Sequence, residues 1–240
     1  MKLYFLGTSH GVPEKDRFCS GTLVETGDRY YLIDCGFPVI NQLKKNDLDI
    51  NKMAGVFITH MHADHTMGLP QYMDLLKWYY KESDPVFYLA EKEGIEAYNG
   101  FLDYVIGGRE LKLDYVKEGV FFEDENVRIT AFATKHCQPR PSLSFLVEAE
   151  GKKVFFTGDL RSDLSDLPDV AKTVHTDALI CEAAHNRLDK VADILYALPT
   201  DTLIINHISF KNPESITAPF AEAAPQRCII SSDNDVVEVL

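Results

Sequence analysis

The sequence predicts a mixed α/β fold. Short apolar or alternating segments, which are typical of β-strands, recur along the chain and are separated by glycine-containing turns. Helical segments follow them, and this order of several strands and then helices occurs twice. A chain of 240 residues with 45% hydrophobic residues is long enough to bury a sizeable core. We therefore expect one domain over residues 1–240, with two halves of roughly 1–120 and 121–240 that meet near 118–126.

The individual elements follow from the same patterns, taken in order along the chain. In the first half, the predicted strands are 3–6, 21–26, 29–34, 56–59, 86–90 and 111–116. The predicted helices of this half are 38–46, 69–81 and 91–105, and Gly107-Gly108 ends the last of them. In the second half, the predicted strands are 127–134, 143–149, 152–157, 178–182, 202–206 and 227–231, and the predicted helices are 186–197 and 213–222.

A run of metal-binding side chains follows the strand predicted at 56–59. His60, His62, Asp64 and His65 fall within six positions, which is a density of ligands that packing does not require. Residues two apart point the same way in extended backbone, so His60 and His62 can bind one ion. Asp64 and His65 fall where the chain should tighten into a helix, and we expect them to face a second ion. Neutral imidazole and carboxylate suit zinc, iron or manganese.

This run resembles the metal-binding motif of the metallo-β-lactamase-fold hydrolases. Four further patches match that superfamily in the same order, and they contain Asp34, His136, Asp159 and His207. The resemblance covers nearly the whole chain. It implies an αββα four-layer sandwich, which composition and periodicity do not establish. It also implies two divalent metal ions, with zinc expected and manganese or iron as alternatives.

The resemblance implies seven metal ligands. They are His60, His62 and His136 for the first ion, Asp64, His65 and His207 for the second, and Asp159 for both. A bridging ligand has to be a carboxylate, because its two oxygens can serve two ions. Asp34 is expected outside the ligand set, where its carboxylate could accept the free N–H of a ligand histidine. Two cations sharing a water lower its pKa from about 15.7 to nearer 7, so neither Ser nor Cys is needed as nucleophile.

Finer details resemble the ribonuclease Z and phosphodiesterase branch of the superfamily. The matching segments are 6–13, 57–65, 141–143 and 179–184. This branch cleaves phosphodiester bonds, which implies phosphorus as the electrophile. The sequence departs from ribonuclease Z because only 22 residues separate His136 from Asp159, too few for the protruding arm that clamps tRNA in that family. The predicted substrate is therefore a small cyclic or nucleotide-like phosphodiester.

The charge of the chain supports a small substrate. A formal net charge of −13 repels polyanions, whereas a protein that binds long RNA is expected to carry a basic face. Several alternatives remain open at this stage. They are an arm-less ribonuclease Z-like nuclease, a hydrolase of a thioester, lactone or β-lactam, a redox protein with iron at the same ligands, and a binding protein with an inactive site.

Four further residues are candidates for a part in catalysis or in substrate binding. In the branch, a glutamate and a histidine assist protonation of the leaving group; Glu182 matches the glutamate, whereas His185 is not at the position of the family's histidine. We nevertheless expect Glu182 and His185, with Asp64 and Asp159, to be catalytic. His10, in the glycine-rich loop after the first strand, is expected to bind substrate or to stabilise its loop. Ser142 is also expected to bind substrate.

Several aromatic side chains and the cysteines complete the predictions. The aromatic residues of 72–104 are expected to lie mostly in the core. Trp78, Tyr79 and Tyr80 are consecutive, so a helix cannot bury all three on one stripe, and one or two could instead line the pocket rim and stack on a base or another flat group. Five scattered cysteines, odd in number, indicate reduced thiols and a cytoplasmic protein. No apolar run approaches the roughly 18 residues of a membrane span. A homodimer is expected as one alternative, because dimers are common in this branch.

Overall fold

Two seven-stranded mixed β-sheets lie at the centre of the structure. The computed structural model describes residues 1–12, 14–105 and 110–240. The first sheet has the order β14-β1-β2-β3-β4-β5-β6. Its strands are β1 (Lys2–Gly7), β2 (Gly21–Thr26), β3 (Arg29–Ile33), β4 (Met53–Phe57), β5 (Val86–Leu89), β6 (Lys112–Tyr115) and β14 (Val236–Glu238). From β3 to β6 neighbouring strands are parallel, so their carboxyl ends meet at one edge.

The second sheet has the same kind of order, β13-β12-β11-β10-β9-β8-β7. Its strands are β7 (Gly119–Glu123), β8 (Arg128–Ala133), β9 (Leu143–Ala149), β10 (Lys152–Phe156), β11 (Thr176–Ala183), β12 (Thr200–Ile208) and β13 (Arg227–Ile230). From β10 to β13 the strands are parallel, and the earlier neighbours are antiparallel. The chain passes from the first sheet to the second between β6 and β7.

Helices cover the outer face of each sheet. They are α1 (Val39–Lys45), α2 (Ala63–Thr66), α3 (Leu69–Trp78), α4 (Lys92–Val105), α5 (Asp169–Thr173), α6 (Leu188–Tyr196) and α7 (Glu214–Ala223), with a 3-10 turn at Ile50–Lys52. One apolar cluster, which includes Phe5, Phe57 and Phe145, lies between the sheets. Two further clusters lie between each sheet and its own helices. The layers are therefore helix, sheet, sheet and helix, and the predicted αββα sandwich is confirmed.

Most elements lie where the sequence predicts them, but four of those in the described residues were missed. The missed elements are β7, β14, the short helix α5 and the 3-10 turn at Ile50–Lys52. The stretch expected to separate the halves, 118–126, contains β7 at the edge of the second sheet. The break predicted at Gly107-Gly108 lies outside the described residues. Within the described residues, none of the helices has the length and apolar character that crossing a membrane requires.

Candidate metal centre

Three histidines form the first donor cluster. His60 and His62 lie in the loop between β4 and α2, and His136 follows β8 in the other sheet. Nδ1 of His62 lies 3.0 Å from Nε2 of His60 and 3.4 Å from Nε2 of His136. Nitrogens bound to one tetrahedral zinc ion at 2.0–2.1 Å are about 3.4 Å apart. The three imidazoles are therefore spaced to bind a common ion.

The second donor cluster contains Asp64, His65 and His207. Asp64 and His65 belong to α2, whereas His207 lies near the end of β12. Oδ2 of Asp64 lies 3.6 Å from Nε2 of His65 and 3.5 Å from Nε2 of His207. His207 has a φ of 51°, a left-handed conformation that is uncommon for a residue other than glycine and clusters at functional sites.

Asp159 lies between the two clusters and is buried. Its Oδ2 is 3.5 Å from Nε2 of His60, 3.7 Å from Nε2 of His136 and 3.5 Å from Nε2 of His207. Its Oδ1 is 3.6 Å from Nε2 of His65. Burial alone raises the pKa of Asp159, but the surrounding imidazoles hold it well below its usual range. An ionised carboxylate placed in this way can bridge two cations.

His65 shows that the second cluster suits a cation. Its Nδ1 lies 2.7 Å from Oδ2 of Asp34, which can only accept a hydrogen bond when ionised, so this nitrogen carries the proton. The remaining nitrogen, Nε2, is buried without a hydrogen-bond partner among the described residues and faces Asp64 and Asp159. Burial lowers the pKa of His65, but Asp34 and Asp159 outweigh it and raise the pKa well above its usual value. The raised pKa and the two carboxylates that face Nε2 both show that this position favours positive charge, which a metal ion bound to Nε2 would supply in place of a proton.

A pocket of about 360 Å³ opens onto the donor clusters. His10, His185, Phe210 and Lys211 line it together with the metal-facing side chains. His10 is held by its own loop, because its Nδ1 accepts the N–H of Val12 at 3.2 Å. Burial lowers the pKa of His10, which favours the neutral ring. The structure thus places His10 at the pocket, where the sequence expects it.

Glu182 lies beside His185, the other member of the predicted catalytic pair. Its side chain is only 3% exposed and does not line this pocket. Its carboxylate accepts the N–H groups of Ala184 at 2.7 Å and His185 at 3.0 Å, and it lies 3.3 Å from Nδ1 of His185. Burial lowers the pKa of His185, but Glu182 and Asp159 raise it overall. Glu182 therefore orients His185 and favours its protonated form, and the catalytic role of the pair stays a prediction.

Ser142 was predicted to bind substrate, and the structure does not support that role. Its side chain is 2% exposed, and its Oγ accepts hydrogen bonds from Oγ1 of Thr134 at 2.7 Å and from the N–H of Cys137 at 3.3 Å. These bonds close the loop that carries His136. Ser142 therefore fixes the loop that carries the metal-facing His136.

The predicted aromatic rim also differs. Trp78, Tyr79 and Tyr80 are not among the described residues that line the pocket, and the hydroxyl of Tyr80 accepts a hydrogen bond from Lys44. Phe210 and Lys211 occupy the rim, and the sequence analysis missed both. Their position three and four residues after the predicted ligand His207 was the signal that could have found them.

Comparison with known proteins identifies the family of the chain and several curated relatives. The family described as Anti-Pycsar protein Apyc1 matches residues 1–204. The chain belongs to this family. It is also 32% identical over 146 residues to ribonuclease Z of Methanocaldococcus jannaschii, which covers 58% of the chain and 45% of the relative. Ribonuclease Z of Anoxybacillus flavithermus is 33% identical over 169 residues, covering 68% of the chain and 53% of the relative. The chain thus spans about half the length of the curated relatives it matches.

Solved structures agree with this family in their fold. The short form of human tRNase Z superposes with a TM-score of 0.77 at 22% identity and covers 100% of both chains. The metallo-β-lactamase-fold protein YhfI of Bacillus subtilis superposes with a TM-score of 0.81 at 21% identity and covers 99% of both. The predicted place of the chain in the ribonuclease Z and phosphodiesterase-like branch of the metallo-β-lactamase-fold hydrolases is confirmed. With the donor clusters, this family membership identifies a divalent-metal centre.

Proposed function

We propose that the protein is a two-metal phosphodiesterase that hydrolyses small cyclic or nucleotide-like phosphodiesters. The observation that carries the proposal is the position of Asp159, whose carboxylate lies within 3.5–3.7 Å of imidazole nitrogens from both donor clusters. A carboxylate shared between two clusters supports two ions in one centre. Zinc is the expected metal, with manganese or iron as alternatives.

Asp159 and the six donors around it would hold the ions. When bound, two divalent cations would supply a hydroxide nucleophile near neutral pH and would offset the charge of the phosphate. Asp64 and Asp159 would contribute the negative charge that retains the ions. The remaining imidazole donors, neutral as ligands, would leave the centre net positive toward an anionic substrate.

His185 is the residue we assign as general acid. Nδ1 of His185 faces Glu182 and Asp159, which leaves Nε2 to donate a proton to the leaving oxygen. Lys211 lines the same pocket and adds a positive charge beside the phosphate. Positioned acid catalysis of this kind contributes roughly 10²–10⁴-fold to a rate.

The size of the substrate follows from the segment between His136 and Asp159. Strands β9 and β10 occupy most of residues 137–158, and no part of that segment protrudes as an arm. Together with the net charge of −13, this favours a small substrate over long RNA. The ribonuclease Z relatives favour one second candidate, an arm-less nuclease that acts on short RNA.

The test is a substrate panel on protein loaded with zinc or manganese. We expect hydrolysis of bis(p-nitrophenyl) phosphate and of 2′,3′- or 3′,5′-cyclic nucleotides, two metal ions per chain by elemental analysis, and no cleavage of a tRNA precursor. Asp159→Ala should lose both metal and activity. Metal-loaded protein that ignores every phosphodiester but hydrolyses a lactone or thioester would overturn the proposal. Light scattering on the same sample tests the expected homodimer.

A further inference from the structure

A second cavity, of about 700 Å³, adjoins the pocket at the metal centre. Three residues line both spaces: His10, Ser209 and Phe210. The rings of His10 and Phe210 meet edge to face, with centroids 5.8 Å apart and planes at 67°. These two rings form a wall between the cavity and the place where we propose the phosphate binds. The volume of the second cavity is within the range of pockets that bind small ligands.

Phe210 is exposed in a way that folding alone does not explain. Its side chain is 77% exposed although it lies three residues from the buried metal-facing His207. The contact with His10 is the one ring contact of Phe210 among the described residues, and most of the Phe210 side chain is exposed, so ring surface is available to another flat group. Exposing this much apolar surface to water is unfavourable, and a bound ligand would cover it.

The backbone on both sides of Phe210 is fixed. Oγ of Ser209 donates to the carbonyl oxygen of Ala184 at 3.0 Å, and Nδ2 of Asn212 donates to those of Ala183 at 2.8 Å and Asn186 at 2.9 Å. These partners follow or end β11, the strand beside β12. The Phe210 ring is thus presented by a rigid segment, which lowers the cost of ordering it on binding.

The charges that line the cavity beside Phe210 differ from those that line the open space on another part of the metal centre, and this difference indicates which part of a substrate each would accept. On the Phe210 side, the cavity is lined by Glu14 and Glu214, and its one cation, Arg17, is engaged with Thr8 at 3.0 Å among the described residues. A separate open space beside the metal centre is lined by Arg161 and Lys211, together with His136 and His185. An anionic group is repelled from the first side and attracted to the second. The Phe210 side therefore suits an uncharged flat group.

We propose that Phe210 and the adjoining cavity form a nucleobase subsite. The inference rests on the proposed function, because it places the phosphate of the same nucleotide at the metal centre. The base would stack on the ring of Phe210, with His10 supporting that ring from its edge. Stacking accepts every base, because each has a π-face, and the subsite is remote from the reacting bond. We therefore expect it to determine KM and to leave kcat unchanged.

The experiment compares ligands with and without a base on the metal-loaded protein. Calorimetric binding of a nucleoside 5′-monophosphate and of ribose 5-phosphate is measured for the native protein and for Phe210→Ala, Phe210→Trp and Phe101→Ala. Phe101 is a matched control, because it is also an exposed phenylalanine but lies on α4. We expect Phe210→Ala to weaken the nucleotide roughly tenfold and to leave ribose 5-phosphate unchanged. Phe210→Trp should restore binding, and Phe101→Ala should change neither ligand.

Two results would overturn the subsite, and they differ in what else they affect. Equal effects of Phe210→Ala on the binding of both ligands, or no effect on either, would contradict the subsite. If the native protein still hydrolyses phosphodiesters, the proposed function would be unaffected by that result. If the native metal-loaded protein binds neither ligand and hydrolyses no phosphodiester, both the subsite and the proposed function would be contradicted. KM for a cyclic nucleotide should rise in Phe210→Ala at unchanged kcat, which a structural defect would not produce.

Discussion

Oδ2 of Asp34 lies 2.7 Å from Nδ1 of His65 inside the protein, and Asp34 has no place in either donor cluster. The same carboxylate accepts the N–H of Thr59 at 2.8 Å and the Thr59 hydroxyl. Asp34 follows β3, whereas Thr59 and His65 follow β4. One side chain thus fixes the loop that carries the donors and the proton position on His65, because partners of this kind orient ligand imidazoles.

We expect Asp34→Asn to weaken metal binding at the second cluster about 10–100-fold. An asparagine tolerates the φ of 61° at this position, but its single oxygen cannot serve both Thr59 and His65. The measurement is competition with a chromogenic chelator. Asp47→Asn is the matched control, since Asp47 has a φ of 54° and is exposed. Equal affinities in the two variants would contradict the role given to Asp34.

Ser142→Ala separates a role in the loop from a role in substrate binding. Loss of the Oγ acceptor leaves Thr134 and the N–H of Cys137 without this partner, at a cost of about 1–3 kcal/mol in the free energy of unfolding. Metal affinity at the first cluster should fall, and KM at saturating metal should not change. Ser83→Ala, at another buried serine, should lose stability alone. A raised KM with unaltered metal affinity would restore the original prediction for Ser142.

His185→Gln should affect substrates according to their leaving group. A cyclic nucleotide expels an alkoxide that needs a proton, so its kcat should fall about 100-fold or more. Bis(p-nitrophenyl) phosphate expels a stable phenolate and should lose much less. His175→Gln, at an exposed histidine beside Asp201, is the control. Metal content is measured in parallel, and equal losses on both substrates would argue that His185 serves the metal centre instead.

Asp177 provides a pH prediction away from the metal centre. Burial raises its pKa, but the N–H of Lys153 at 2.8 Å and Nζ of Lys152 at 3.1 Å outweigh burial and lower the pKa below 3.8. A carboxylate with a lowered folded pKa stabilises the protein above its unfolded pKa, and this contribution is lost as the pH falls through the folded value. Asp177→Asn should therefore cost about 1 kcal/mol at pH 7.

The difference between Asp177→Asn and the native chain should shrink as the pH falls below about 4. Urea unfolding of both metal-free proteins at neutral and acid pH measures it. Asp193→Asn, at an exposed position on α6, is the control for replacing an aspartate by asparagine. A constant gap between Asp177→Asn and the native protein across the whole pH range would mean that charge at residue 177 is not the cause.

Sequence reasoning predicted features that local order encodes. His60, His62, Asp64 and His65 are neighbours in the chain, and the resemblance supplied the distant partners that the fold brings to them. Side-chain direction was not predictable, because nothing in the residue order shows that Ser142 faces its own loop.

The missed strands have physical reasons of the same kind. A register shift between Val120 and Phe122 interrupts the alternation of β7, so its pattern lacks a period of two. Strand β14 has three residues, and its partner β1 lies at the other end of the sequence. Such a pairing depends on tertiary structure, which a local pattern does not contain.

Each donor cluster takes side chains from both sheets. His62 and His65 are carried by the first sheet, and His136 and His207 by the second. Neither half carries a complete set of donors for either ion on its own. The ions would then bind only after the two sheets have packed together, and once bound they would cross-link the sheets. Uptake of metal during refolding should therefore lag behind the formation of β-structure.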